Sequence, residues 1–189
     1  MTSSKTANAK LTAGQPSKPL RTKAVSIGAD CACLSVRKAT RAVTQLYDKH
    51  LSRVDIRITQ FTLLNAIAAF ETISIHDLAT ELVIDRTTLT RNLKPLIKAG
   101  WVQSEVNDKD ARVRDLTLTT DGVERLEKAI PYWEKAQAEF VGKIGMPLWM
   151  DFAANLAAVD KTLYPGKRPS DTKFREGRPG KAESLSNSL

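Results

Sequence analysis

The chain has 189 residues, 42% of them apolar, which is enough for one folded domain of ordinary size with tails. No apolar run reaches the roughly 18 residues that a membrane-spanning helix needs, and no secretory signal opens the chain. We therefore expect a cytoplasmic protein whose two cysteines, Cys31 and Cys33, stay reduced.

Positive charge is distributed unevenly along the chain. The net charge is +8 and the pI about 9.6, yet residues 30–164 balance at zero. Residues 1–29 hold five bases and no acid, and residues 165–189 hold six bases and three acids. Within the neutral body, residues 86–114 carry seven bases against three acids. A local excess of this kind is suited to a polyanion such as nucleic acid.

Both ends of the chain have compositions typical of disorder. Residues 1–29 are rich in Ser, Thr, Lys, Ala and Pro, and residues 165–189 contain repeated Pro and Gly. We predict a disordered basic arm over residues 1–29 and a disordered basic tail over residues 165–189. One folded domain, residues 30–164, lies between them.

The first half of this domain predicts four helices. Residues 31–52 carry an apolar stripe at near-heptad spacing. Thr59 is placed to cap a second helix, Ser74 a third and Asp85 a fourth, and Gly100 is placed to end the fourth in the left-handed conformation. The core residues predicted for the fourth helix are Leu89, Leu93, Leu96 and Ile97.

The second half predicts a β-hairpin followed by two helices. Residues 101–106 and 113–118 have strand-like patterns, and the polar, turn-forming residues 107–112 join them. Thr120 is placed to cap a long helix that Pro131 is expected to bend. A last helix, with a regular apolar stripe, is predicted to start at Pro147.

This order of elements predicts a mainly α (α+β) fold, a winged helix-turn-helix with a DNA-binding lobe over residues 59–119. Such a module places its second helix in a DNA groove and reaches sideways with the hairpin. We therefore expect duplex DNA as the partner, and with it association with the bacterial nucleoid.

The fourth predicted helix is the candidate recognition helix. Its buried leucines leave hydroxyl and cationic side chains outward; threonine can bond a phosphate or a base edge, and arginine can bond guanine at two points. In an isolated helix these would be ordinary solvated residues, but the preceding helix and the basic hairpin favour DNA contact. The contacts predicted on the helix are Arg86, Thr87, Thr88, Thr90, Arg91 and Lys94.

The hairpin is the candidate wing. An arginine at its tip, Arg112, is suited to a narrow minor groove, where the potential is most negative. Asp110 is placed to hold that guanidinium by a charged hydrogen bond; the alternative is a surface ion pair worth roughly 0–1 kcal/mol. The contacts predicted on the hairpin are Lys109, Asp110, Arg112 and Arg114.

A signature of six residues runs from the wing into the next helix: Asp108, Asp110, Arg112, Leu118, Thr119 and Gly122. Together with residues 85–91, it resembles the multiple antibiotic resistance regulator (MarR) family of bacterial transcription factors. The resemblance covers residues 31–163. Val83 departs from it, because the family usually has glycine at this turn and a β-branched residue disfavours positive φ.

The resemblance implies an obligate homodimer with N- and C-terminal dimerisation helices, here residues 31–52 and 147–163. Two recognition helices related by a two-fold axis would bind a near-palindromic operator with half-sites about 34 Å apart. Repression is the commoner behaviour in the family, and release follows from a small ligand, such as an aromatic acid, or from an oxidant.

The first helix also resembles that of the family's organic-hydroperoxide sensors. Cys33 falls at the position of their reactive cysteine, and Tyr47 at that of a tyrosine that bonds the thiolate. Ile58 and Phe61 stand where those sensors have tyrosines, so the hydroxyl network that would lower the thiol pKa is incomplete.

Two other roles for the cysteine pair stay open. Cys31 and Cys33 would serve equally as small apolar residues in a dimer interface. Together with His50 or His76 they could instead bind a metal ion, although neighbouring thiolates alone do not make a tetrahedral site.

Other classes of protein fit the sequence less well. It has no G-x-S-x-G motif, no phosphate-binding glycine loop and no H-E-x-x-H motif, so we expect neither an enzyme nor a cofactor. The remaining alternatives are a winged helix used for protein contacts and a sequence-blind architectural protein that binds DNA through its basic tails.

Overall fold

The computed structural model describes residues 14–173. The chain divides into two compact units, with the boundary between Ala42 and Val43. The first unit contains helix α1 (Lys18–Asp30) and the first half of α2 (Ala32–Leu51), and the second contains the remaining elements.

Helix α1 corrects the prediction of a disordered arm over residues 18–29. The Oγ atom of Ser17 accepts a hydrogen bond from the N–H of Leu20 at 3.4 Å, and Pro19 occupies the first turn, where its missing N–H costs nothing. A composition rich in Ser, Thr, Lys, Ala and Pro therefore did not prevent a capped helix. The remainder of the arm, residues 1–13, lies outside the described residues.

The second unit follows the predicted order of elements. A single 3-10 turn (Ser52–Val54) leads to α3 (Ile58–Phe70), the short strand β1 (Ile73–Ser74), α4 (Ile75–Glu81) and α5 (Arg86–Lys98). Strands β2 (Val102–Val106) and β3 (Arg114–Leu118) form the hairpin. Helices α6 (Thr120–Ile144), α7 (Met146–Leu163) and α8 (Pro169–Lys173) complete the described chain.

The three strands form one antiparallel sheet in the order β1-β3-β2. Ile73 pairs with Leu116, and Val102 pairs with Leu118. The core lies between this sheet and helices α3, α5 and α6. Its fully buried side chains include Leu64, Ile67, Leu78, Leu89, Leu93, Leu96 and Leu116.

Two predicted caps are wrong by one or two residues. Helix α3 begins at Ile58, after Arg57, whose backbone N–H donates to the side chain of Gln60 at 2.9 Å. The cap of α6 is Thr119, because its hydroxyl, and not that of Thr120, accepts from the N–H of Gly122 at 3.0 Å. Both observed caps have an extended backbone, but only Thr119 offers a side-chain acceptor to the first turn of its helix.

Two further expectations about the helices need correction. Ile97 is 41% exposed, since it lies at the edge of the apolar stripe of α5. Residues 169–173 of the predicted disordered tail form α8, which begins at a proline and packs on α4. The Ser170 N–H donates to Glu81 Oε2 at 3.0 Å, and Arg168 pairs with Asp160 at 2.5 Å. Residues 174–189 lie outside the described residues.

Candidate nucleic-acid interface

Helices α4 and α5 are joined by a tight turn in which a valine adopts a left-handed conformation. Ser74 caps α4 by accepting from the N–H of Asp77 at 3.0 Å. At its other end, the N–H of Ile84 donates to Ala79 at 3.0 Å and that of Val83 donates to Thr80 at 3.3 Å. This pattern needs a positive φ at the residue after the C-cap, and Val83 has φ +53°. The valine therefore keeps the turn that glycine would form, with backbone strain.

Helix α5 buries one face and exposes a polar one. Leu89, Leu93 and Leu96 are at most 1% exposed. The opposite face is a shallow concavity lined by residues one and two turns apart, all of them exposed; they are Arg86, Thr87, Thr90, Arg91 and Lys94. Five of the six contacts predicted on α5 thus share one surface.

Thr88 is the exception among the predicted contacts on α5. It is half-buried, and its backbone N–H donates to the carboxylate of Asp85 at 2.8 Å. A hydrogen bond from the Thr88 hydroxyl, followed by the one from its N–H, lowers the pKa of Asp85. A negative charge is thereby fixed at the positive end of the α5 dipole, so Thr88 serves the start of the helix.

The wing tip is organised by two side chains that accept hydrogen bonds from the backbone. Asn107 Oδ1 accepts from the N–H groups of Lys109 and Asp110 at 2.9 and 3.1 Å. Asp110 Oδ1 accepts from the N–H of Arg112 at 2.9 Å. The Asn107 side chain also donates to Asp115 at 2.6 Å, which ties the tip to β3. The tip is therefore a built turn.

The predicted pairing of Asp110 with the Arg112 guanidinium is not what the structure has. Asp110 binds the backbone N–H of Arg112, because two residues of a tight turn place that N–H beside the carboxylate. In the described part of the chain, the exposed side chains of Lys109 and Arg112 make no hydrogen bond or ion pair. The Arg114 side chain lies along the hairpin instead, donating to Ser104 at 3.3 Å.

A close packing contact fixes the wing to α6. The Thr119 N–H donates to the carbonyl of Trp101 at 3.1 Å, and the Thr119 hydroxyl donates to that of Gly100 at 2.5 Å. A Cβ atom added at Gly122 would lie 2.0 Å from the same Trp101 oxygen. Gly122, in the signature, is thus required by packing.

Sequence reasoning missed Asn107 and Arg125. The Arg125 guanidinium lies 4.8 Å from the centroid of the Trp101 ring and donates to the carbonyl of Asp55 at 3.2 Å. It therefore links the segment before α3 to the start of the wing. The Asn-x-x-Asp spacing of residues 107–110 is a turn signal that could have identified Asn107, whereas nothing local marks Arg125.

The side chains of the proposed redox site lie in different surroundings. Cys31 is half-buried, and its Sγ accepts from the N–H of Leu34 at 3.4 Å, whereas Cys33 is exposed. Tyr47 is buried, which raises the pKa of its hydroxyl, and the hydroxyl donates to Gln137. Phe61 stacks on Trp133 at 6.0 Å.

Neither His50 nor His76 belongs to a cluster of potential metal ligands among the described residues. Within residues 14–173 no three His, Cys, Asp or Glu side chains are grouped so as to hold a metal ion. His50 bonds Glu139 at 2.6 Å and His76 is exposed on α4. The same residues include no helix long and apolar enough to cross a membrane.

A capped helix, a tight turn, a second helix with a polar outer face and a β-hairpin define a winged helix-turn-helix. Comparison with known proteins gives the family. A model described as the MarR family matches residues 54–113. The chain is 33% identical to the HTH-type transcriptional regulator SarZ of Staphylococcus haemolyticus over 48% of its own length and 62% of that protein.

Two other relatives extend the match. The organic hydroperoxide resistance transcriptional regulator of Bacillus subtilis is 28% identical over 52% of this chain and 67% of its own. The M. tuberculosis transcriptional regulator MosR, solved as a crystal structure in complex with DNA, is 34% identical in sequence to this chain, and the two structures match with a TM-score of 0.62. The match covers 71% of this chain and 98% of MosR. The chain therefore belongs to the MarR family.

Proposed function

We propose that the protein is a homodimeric transcription regulator that binds a near-palindromic duplex operator, represses transcription and is released by a small ligand or an oxidant. It acts in the cytoplasm, on the nucleoid, and catalyses no reaction. Helix α5 enters the major groove, and Arg112 of the wing enters the neighbouring minor groove. The solved complex of MosR with DNA supports the choice of partner.

One observation carries this proposal. Arg86, Thr87, Thr90, Arg91 and Lys94 occupy one exposed face of α5, while the opposite face is buried in the core. A rigid helix that presents guanidinium, ammonium and hydroxyl groups together is suited to phosphates and to the base edges of the major groove. The family match and the organised wing beside it make an ordinary solvated face the weaker explanation.

Unburied apolar side chains support the homodimer. In a single chain, α7 leaves Leu148, Leu156, Val159 and Leu163 between 41% and 68% exposed. Val36 of α2 is 54% exposed. Apolar area of this extent on dimerisation helices favours burial against a second copy.

The first test is fluorescence anisotropy on DNA from upstream of the protein's own gene, with a scrambled duplex of equal length as the control. We expect tight binding to the upstream region alone, and an Arg91→Ala variant to lose roughly 1–3 kcal/mol of that binding. Lys98→Ala, which removes a cation from the last turn of the same helix, should change little. Equal affinity for both duplexes would replace this proposal with architectural binding.

The wing contact is tested separately by Arg112→Ala. Because the Arg112 guanidinium has no hydrogen-bond or ion-pair partner among the described residues, its loss should weaken operator binding without lowering the melting temperature. An unchanged affinity would show that the wing does not enter the minor groove. The other predicted contacts, Lys109 and Arg114, are expected to bind phosphates on either side of it.

A hydroperoxide-sensing role is a second candidate, favoured by the exposure of Cys33 and by the B. subtilis relative. Oxidation of the Cys33 thiolate would release the operator. A Cys33→Ser variant should then stay bound after peroxide treatment, whereas Cys31→Ser should behave as the parent does. Equal release of the parent and Cys33→Ser would direct the search to small ligands and away from this thiol.

A further inference from the structure

Helix α1 carries a cationic, hydroxyl-bearing face. Lys18, Thr22, Lys23 and Ser26 line one shallow surface together with Pro19. All thirteen residues of the helix are exposed, and its only acid is its last residue, Asp30, which accepts a hydrogen bond from Ser26 at 3.3 Å. Arg21 adds a third cation to the helix, outside this surface. Ammonium and hydroxyl groups on one face are what contact phosphates along a nucleic-acid backbone.

The charge around this face has a single sign over a long stretch. Residues 1–29 contain five bases and no acid, whereas residues 30–164 are neutral. Nothing in this stretch therefore neutralises the lysines of α1 from within. A polyanion is the complementary partner, and the release of its counterions makes the binding free energy more favourable.

The opposite side of α1 decides between two polyanionic partners. Helical spacing places Leu20, Ala24 and Ile27 on it, and Gly28 follows. Three apolar residues form a stripe too narrow and too short for the broad apolar face with which a helix lies in a lipid interface. Double-stranded DNA is the better match.

Helix α1 is also a separate element. The backbone of Cys31 is extended, with φ −72° and ψ +104°, so α1 ends there and α2 begins afresh at Ala32. A short helix joined at one extended residue can align with a neighbouring duplex without rebuilding α2.

We propose that the Lys18, Thr22, Lys23 and Ser26 face of α1, together with Arg21 of the same helix, binds the phosphate backbone of DNA flanking the operator. The contact is independent of sequence and adds affinity to the specific contacts of α5. This inference rests on the proposed DNA-binding function and assigns α1 a part in it.

The test is the salt dependence of DNA affinity for the full-length homodimer. Each phosphate contact contributes about 0.9 to the slope of log Kd against log salt. The triple variant Lys18→Gln, Arg21→Gln, Lys23→Gln removes up to three contacts per protomer, so the slope should fall by roughly 2–5. Operator and scrambled duplexes of equal length should lose affinity by the same factor.

A matched control removes the same charge elsewhere. Lys128→Gln, Lys135→Gln and Lys161→Gln neutralise three exposed lysines of α6 and α7, and the slope should then change by less than about 1. The conservative variant Lys18→Arg, Lys23→Arg should retain the parent slope. On a duplex trimmed to the operator alone, the triple variant and the parent should bind with the same affinity, because the flanking phosphates are absent.

The outcomes separate this inference from the proposed function. If the parent prefers its operator but the triple variant has the control's slope, α1 does not touch DNA and the inference is wrong. If the parent binds no duplex, the proposed function itself fails. A third outcome is that the parent binds anionic phosphatidylserine vesicles, whereas the triple variant does not bind them but keeps the parent's salt slope on DNA. That result would assign α1 to a membrane surface and overturn the inference.

Discussion

Gly122 gives the sharpest test of how the wing is attached to α6. An alanine Cβ there would lie 2.0 Å from the Trp101 carbonyl oxygen and 2.9 Å from its carbon. Ordinary contact needs about 3.4 Å or more, so the start of α6 would have to move by roughly 1.4 Å. That movement breaks the hydrogen bonds from the Thr119 N–H to Trp101 and from the Thr119 hydroxyl to Gly100.

The expected magnitude follows from these contacts. Two hydrogen bonds are worth about 1 kcal/mol each, and overpacking against a fixed backbone costs roughly 1–3 kcal/mol. The higher helix propensity of alanine offsets about 1 kcal/mol of this loss of stability. Gly122→Ala should therefore lower the free energy of unfolding by roughly 2–4 kcal/mol.

Gly142 provides a control with the opposite sign in the same helix. A Cβ there meets nothing within 4 Å, so Gly142→Ala should stabilise the protein by up to about 1 kcal/mol. Urea denaturation at one fixed protein concentration measures both changes, since the proposed dimerisation would make stability depend on concentration. If the two variants shift the urea midpoint in the same direction, the close approach to the Trp101 carbonyl is not what excludes a side chain at residue 122.

Three further outcomes are expected. Val83→Gly should raise the free energy of unfolding by up to about 1 kcal/mol in the same urea denaturation assay. Glycine releases roughly 1–2 kcal/mol of left-handed backbone strain, which exceeds the cost of the added entropy of the unfolded chain. Val83→Ala should give a smaller increase. Asp110→Ala should speed hydrogen exchange at the Arg112 amide. The control Asp108→Ala should not, because the Asp108 carboxylate makes no hydrogen bond in the described structure. Equal exchange rates in the two variants would refute the role of Asp110 in holding the turn. The bonds from Lys143 and then His50 lower the pKa of Glu139 from 4.5 to about 2, so the stability they give is complete above about pH 4.5 and is lost as the pH falls toward 2. The difference in melting temperature between the parent and Glu139→Gln should narrow over that range, and a constant difference would contradict it.

Features that depend on neighbouring residues were predictable from the sequence. Ser74 and Asp85 cap their helices as predicted, and Gly100 is left-handed at φ +73°, because each is decided by a side chain or a missing Cβ within one turn. The fold class followed from the order of the elements, and the family followed from the resemblance that residues 85–91 and the signature from Asp108 to Gly122 carry.

Features that depend on distant residues were not predictable. The bond between Asn107 and Asp115 and the stacking of Arg125 on Trp101 need the folded hairpin. The choice of Thr119 over Thr120 as the cap depends on which backbone is extended. Helix α1 was missed because its apolar residues are scattered and none of them is buried in a core, although Ser17 and Pro19 carried the local signal for a helix start.

The organised wing tip has a consequence for the entropy of DNA binding. Asn107 and Asp110 already hold the backbone of the tip, so binding freezes few additional backbone torsions. With Lys109 and Arg112 contacting DNA as proposed, the conformational entropy that the tip loses on association is mainly that of these two side chains, about 0.5–1.5 kcal/mol each. Loosening the tip should therefore make the free energy of binding less favourable through a larger entropic loss, even where every contact with the phosphates is regained in the complex.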